Sequence, residues 1–250
     1  MKFVLPLLIV ASQAVAAPVI DLFFAGGQSN ATAQWRDGIE AGLLASGLFT
    51  NPQVAWIQHS GTPISTWHTE DEKKDYYFTD FYSSPGSGLL QQSIFDLQSA
   101  GYEVHFRGLF WFQGEADAGD PAGVAPSLWG QRFGAMVNDI DTDLGNSDWK
   151  IMITLVDLYG SSTYNGDDYP PMAELRQVMR DFVTTWEDRA LSIDSRSYER
   201  TDLLHLTPAE AERLGYDSGA QFATFAVPEP SIAWLLLCGT LLLPFCRSVK

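Results

Sequence analysis

Short apolar runs recur along the chain at Val19–Ala25, Val54–Gln58, Val104–Phe112, Ile151–Val156 and Ala190–Ile193. They are continuous rather than alternating, the pattern of strands buried on both faces in a parallel sheet. Stretches of helical period separate them. The clearest places Met172, Leu175, Val178, Met179, Phe182, Val183 and Trp186 three and four apart, which predicts a helix with one buried face. Strands alternating with helices read as an α/β chain folded into a three-layer α/β/α sandwich. In such sheets ligands bind outside the carboxyl ends of the strands. The polar residues just after each run are therefore the first candidates for chemistry: Gly27–Asn30, His59–Thr62, Gln113–Asp117 and Asp157–Tyr159.

The two ends break this pattern. Lys2 precedes the apolar run Phe3–Ala11, and Ala14-Val15-Ala16 offers small residues at a signal-peptidase site, so residues 1–16 are expected to be an export signal and Ala17 the mature start. Near the other end, Val227-Pro228-Glu229-Pro230 precedes the 15-residue apolar run Ile232–Cys246, closed by Arg247 and Lys250. That run is shorter than the roughly 20 residues of a comfortable membrane span. A Pro-Glu-Pro triplet, a short hydrophobic helix and a basic end, in that order, resemble the PEP-CTERM sorting signal of certain Gram-negative bacteria. The resemblance implies export, sorting through residues 227–250, and delivery to the cell envelope, the surface or an extracellular polysaccharide matrix. The expected partners of the two termini are the export and sorting machineries.

With the ends set aside, residues 17–226 form a single domain large enough for one core. Both cysteines, Cys238 and Cys246, lie in the tail, so this domain holds no disulfide, thiol nucleophile or cysteine metal site. Without Lys2, Arg247, Lys250 and Glu229 it keeps 12 basic and 30 acidic residues, a net charge near −18. Such a surface repels nucleic acid and anionic lipid, which leaves a neutral substrate as the better fit.

A serine hydroxyl becomes a useful nucleophile when a base takes its proton and a carboxylate orients that base. Ser29 follows two glycines that tolerate unusual backbone angles, and it is expected to open a helix whose free N–H groups can face a developing oxyanion. Only four histidines compete for the base. His59 sits at a strand end, His68 in a polar loop with no evident orienting partner, and His105 inside a strand. His205 follows Asp202 by three residues in Thr201-Asp202-Leu203-Leu204-His205, a spacing that lets the carboxylate hold one ring nitrogen while the other faces outward. A helix-capping aspartate beside a surface histidine would look the same.

Gly27-Gln28-Ser29-Asn30, Gly61-Thr62-Pro63-Ile64 with Trp67, Trp111-Phe112-Gln113-Gly114-Glu115-Ala116-Asp117 and Asp202-Leu203-Leu204-His205 together resemble the sialate O-acetylesterase and acetylxylan esterase group of the SGNH hydrolase superfamily. The resemblance spans most of residues 19–222. It implies a flavodoxin-like sheet and serine-dependent removal of acetyl groups from sugar hydroxyls, with no metal and no other cofactor. Carried over by motif, Ser29 is the nucleophile, His205 the general base and acid, and Asp202 its orienter. The oxyanion donors would be the Ser29 and Gly61 backbone N–H groups and the Gln113 side-chain amide, with Gln28, Asn30 and Glu115 in support. Many superfamily members carry an asparagine donor where this chain has Gln113.

Glu115 and Asp117 also invite rival readings, as a glycosidic acid–base pair or, with Asp120, as calcium ligands. The favoured reading makes Glu115 a brace for the loop that aims Gln113. It makes the aspartates acceptors for water or backbone N–H groups. Thr69–Gly88 and Tyr159–Tyr169 are expected to be surface loops. The first carries Tyr76, Tyr77, Phe78, Phe81 and Tyr82, suited to packing on the rim or stacking on a sugar.

Overall fold

Each apolar run becomes a strand: β1 (Val19–Gly27), β2 (Gln53–Gln58), β3 (Glu103–Phe112), β4 (Lys150–Leu155) and β5 (Ala190–Asp194). The computed structural model describes residues 16–68, 88–119, 126–157 and 170–226. Most of the expected export signal, the expected sorting segment from 227 onward, the aromatic stretch Tyr76–Tyr82, Asp120 and the stretch Tyr159–Tyr169 lie outside the described residues. The strands form one sheet in the order β2-β1-β3-β4-β5, and every neighbouring pair is parallel. This is the flavodoxin-like order, with its switch point between β1 and β3. Burial is nearly unbroken along β1 and β4, because a parallel sheet is covered on both faces.

The helices are α1 (Ala33–Ser46), α2 (Ile64–Trp67), α3 (Leu89–Ser99), α4 (Glu115–Gly119), α5 (Pro126–Leu144), α6 (Pro170–Thr185) and α7 (Pro208–Ala226). Alternate side chains of β3 assign them to faces. Phe110 packs on Phe222 of α7 with ring centroids 4.8 Å apart, and Phe112 on Trp35 of α1 at 5.5 Å. Trp111, between them, meets Phe133 of α5 at 5.4 Å and Trp67 of α2 at 4.9 Å on the opposite side. Each such pair adds about 0.5–1.5 kcal/mol to the burial of its rings. The predicted α6 stripe is present, with Met172, Leu175, Met179 and Phe182 buried.

One helix crossing bears directly on the site. A Cβ at Gly38 of α1 would stand 2.1 Å from the Glu212 carbonyl oxygen, and one at Gly42 2.2 Å from that of Tyr216. Reciprocally, a Cβ at Gly215 of α7 would stand 2.1 Å from the Trp35 oxygen, and one at Gly219 2.4 Å from that of Ile39. Only glycine allows the two backbones to touch in this way. Because α1 starts just beyond Ser29 and α7 starts three residues beyond His205, this contact fixes two distant segments of chain against each other.

Candidate active site

The carboxyl end of β1 is shaped by Gly27, whose φ is +155° and whose Cβ would fall 2.0 Å from the Phe112 oxygen. Its absence lets the Gln28 N–H donate to that oxygen at 3.0 Å. The chain then turns: the Ala31 N–H donates to the Gln28 carbonyl at 2.9 Å, and Thr32 Oγ1 accepts from Trp35 to cap α1. The helix expected to open at Ser29 therefore begins at Ala33. Ser29 sits instead on a tight turn, its carbonyl held by Gln58 Nε2 at 2.9 Å.

Across the crevice, Arg200 and Leu206 form an antiparallel bridge that closes a small loop. Inside it, Asp202 Oδ1 accepts the backbone N–H groups of Leu204 and His205, each at 2.7 Å, while Oδ2 lies 2.8 Å from His205 Nδ1. The other ring nitrogen, Nε2, lies 3.1 Å from Ser29 Oγ, across 176 positions of sequence. An ionised carboxylate only accepts, so Nδ1 carries the proton and Nε2 is left to accept one from the serine. The His205 backbone N–H, followed by its ring and the Leu204 N–H, holds the Asp202 carboxyl at about 2, below the usual range. Asp202 is not a helix cap; Thr207 Oγ1 takes that place on α7 by accepting the Glu210 N–H.

The remaining histidines are engaged elsewhere. His59 sits at the end of β2, its N–H on the Gly27 carbonyl at 3.0 Å and its ring edge-on to Trp67. His68, read in the sequence as lacking a partner, has one: Asp139 of α5 at 2.7 Å. That carboxylate is 71 positions away, beyond reach of local inspection. His105 lies near the amino end of β3, beside Glu103 and Arg107.

Gln113 is hydrogen-bonded through both ends of its amide. Its Nε2 donates to the Thr62 carbonyl at 3.0 Å and to Asp117 Oδ2 at 2.5 Å, and its Oε1 accepts from Trp129 Nε1 at 2.9 Å. Turning the amide over would set its NH₂ against the indole donor and its oxygen against two acceptors. Both N–H groups are thus engaged inside the protein, and the side chain is wholly buried. It pins a turn, together with Asp117, which accepts the Ile64 N–H through both oxygens at 3.1 Å. Between them lies the stretch that follows Gly61, whose φ of +69° suits glycine. Gln28 Oε1 accepts the Gly114 and Ala116 N–H groups at 3.2 Å, tying the Ser29 turn to the start of α4.

Glu115, in the segment that follows Gln113, meets Asn30, accepting its Nδ2 at 2.8 Å. Burial raises its pKa to about 7, against the pull of Asn30 and of Arg200. A carboxyl raised above its unfolded value keeps a proton that the unfolded chain releases. Stability therefore falls as pH rises from about 4.5 to 7, by about 3 kcal/mol across the window. Glu115→Gln should accordingly gain about that much on wild type between pH 4.5 and pH 8 in urea unfolding. An equal difference at both pH values would show that Glu115 titrates normally.

Two residues were missed in the sequence. Arg200 spans the loop, donating to the Ser195, Tyr198 and Leu204 carbonyls; its only signal is a basic residue two positions before Asp202 in an acidic chain. Trp129 has no local signal at all.

The fold recurs in a carbohydrate acetylesterase from Xanthomonas citri, at a TM-score of 0.57 and 15% identity over 82% of this chain and 56% of that one. The chain thus spans little more than half of that structure. A carbohydrate acetylesterase from Sinorhizobium meliloti aligns at 0.52 and 12% identity, over 82% of this chain and 99% of that one. An acetyl xylan esterase aligns at 0.50 and 14% identity, over 78% and 96%. These similarities establish the shared fold. No curated protein matches the sequence. The model of one family, described as carbohydrate esterase, sialic acid-specific acetylesterase, matches residues 51–224. The match takes in Gly61, Gln113 and the Asp202–His205 segment but stops short of Ser29, which only folding adds to them. By that match the chain belongs to the sialic acid-specific acetylesterase family of carbohydrate esterases.

Proposed function

We propose that the protein is an exported serine esterase that removes acetyl groups from sugar hydroxyls through an acetyl-enzyme intermediate. The observation that carries this reading is the continuous relay from Asp202 through His205 to Ser29, at 2.8 and 3.1 Å. As Ser29 Oγ attacks the acetyl carbonyl, His205 Nε2 takes its proton, and the Asp202 carboxylate stabilises the imidazolium. The same nitrogen returns the proton to the departing sugar oxygen. A water molecule then attacks acetyl-Ser29 with His205 again as base, releasing acetate. The tetrahedral oxyanion is assigned to the backbone N–H groups of Ser29 and Gly61, Gln113 being committed to Thr62 and Asp117. Every step uses protein groups and water.

The sugar class rests on the family match, and export rests on the leader at 1–16 and the tail at 227–250 with Pro228-Glu229-Pro230. The charge near −18 on residues 17–226 disfavours a polyanionic partner such as nucleic acid. Acetate release from O-acetylated sialic acid, acetylated xylan and acetylated bacterial exopolysaccharide tests the proposal. At least one should yield acetate faster than comparable longer-acyl esters are cleaved. Cleavage of long acyl esters alone would replace it with a lipase-like reading.

A further inference from the structure

The side chain of Asn30 is spent on the loop that carries His205 and on Glu115 of α4. Its Nδ2 donates to the Leu204 carbonyl at 3.0 Å and to Glu115 Oε1 at 2.8 Å, and its Oδ1 accepts the Leu206 N–H at 3.0 Å. Leu204 and Leu206 flank His205, so a single carboxamide grips the backbone on both sides of the imidazole. Asn30 is buried, 2% exposed, and is covalently next to Ser29. It therefore links the turn that presents Oγ to the loop that presents Nε2. A planar group with two donors and one acceptor is needed here, and among short side chains only asparagine supplies it. Its orientation follows from its partners, because a reversed amide would set its oxygen against the Glu115 carboxyl and the Leu204 carbonyl.

Resting on the serine-esterase reading, we propose that Asn30 is a positioning residue that sets the Ser29–His205 distance, and that Glu115 fixes the orientation of its amide. Asn30 acts through His205 and touches no substrate. Arg200 Nε also holds the Leu204 carbonyl, at 3.2 Å, so loss of Asn30 shifts the loop without releasing it. A shift of about 1 Å at reacting atoms costs on the order of 10²-fold in rate.

The test compares Asn30→Ala and Asn30→Asp with wild type in three measurements: kcat and KM on p-nitrophenyl acetate, the rate of covalent inactivation by a small sulfonyl fluoride, and the thermal midpoint. Sulfonylation requires Ser29 and its base but no sugar contacts. Asn30→Ala should lower kcat and the sulfonylation rate together by about 10²-fold, with KM unchanged to within about threefold. Asn30→Asp keeps the volume and the acceptor for Leu206 but loses both donors. It should show the same loss, and it carries the test should the alanine variant not fold. Adding Glu115→Gln to Asn30→Asp turns the buried pair around, the new amide donating to the new carboxylate, and should recover kcat by about tenfold or more. Rates within a few-fold of wild type in the folded variants, even with a lower thermal midpoint, would overturn the positioning role. No recovery in the double variant would overturn the part given to Glu115. A wild-type protein whose esterase activity survives Ser29→Ala would instead defeat the serine-esterase reading and this proposal with it.

Discussion

Ser29→Ala is expected to lower turnover of p-nitrophenyl acetate by about 10⁶-fold while leaving the thermal midpoint near that of wild type. The expectation follows from the short distance, 3.1 Å, between Ser29 Oγ and His205 Nε2, and from how little else the substitution touches. The turn is set by Gly27, by the bond from Gln28 to Phe112 and by the bond from Gln58 to the Ser29 carbonyl, none of which uses the hydroxyl. His205→Ala should cost a similar amount, and the double variant no more than either single one, because residues of one relay fail together. Loss of only tenfold or less in Ser29→Ala would mean that another group attacks the ester.

The second large effect is expected at Asp202→Asn, a loss of about 10³- to 10⁴-fold in kcat. An asparagine oxygen can still accept the Leu204 and His205 N–H groups that Oδ1 accepts now, so the loop keeps its shape. Its NH₂, however, would face His205 Nδ1 and drive the ring proton to Nε2, leaving no acceptor for the serine. With its carboxyl held at about 2, Asp202 stays ionised through the mildly acidic range, so its own protonation does not limit activity there. The stabilising effect of the ionised form is present above the ordinary carboxylate range and fades as pH falls toward 2. Because the side chain is 54% exposed, solvent screens most of that effect. Near-wild-type activity in Asp202→Asn would remove Asp202 from the relay.

Much of the architecture could be read locally. The five apolar runs became the five strands to within two residues at each end, because a strand covered on both faces must be apolar throughout. The stripe along α6 was equally plain, since one face of a helix repeats at fixed spacing. Gly38 and Gly42, and Gly215 and Gly219, have helical spacing too, but no local pattern says that the two pairs meet. The helix start after Ser29 was misplaced because Gln28, Asn30 and Thr32 use their hydrogen bonds on turns and caps.

The sequence by itself determined the kind of chemistry and its order along the chain: a serine after the first strand, a carboxylate and histidine three apart near the end, and four motifs shared with one esterase group. Those are matters of residue type and spacing. The tertiary structure alone decided the geometry between them. It set Ser29 beside His205, paired His68 with Asp139, and turned Gln113 inward onto Thr62, Asp117 and Trp129. It also buried Glu115 deeply enough to raise its pKa to about 7. Side-chain orientation and ionisation follow from which polar partners and how much water surround a group, and here most of those partners come from distant parts of the chain.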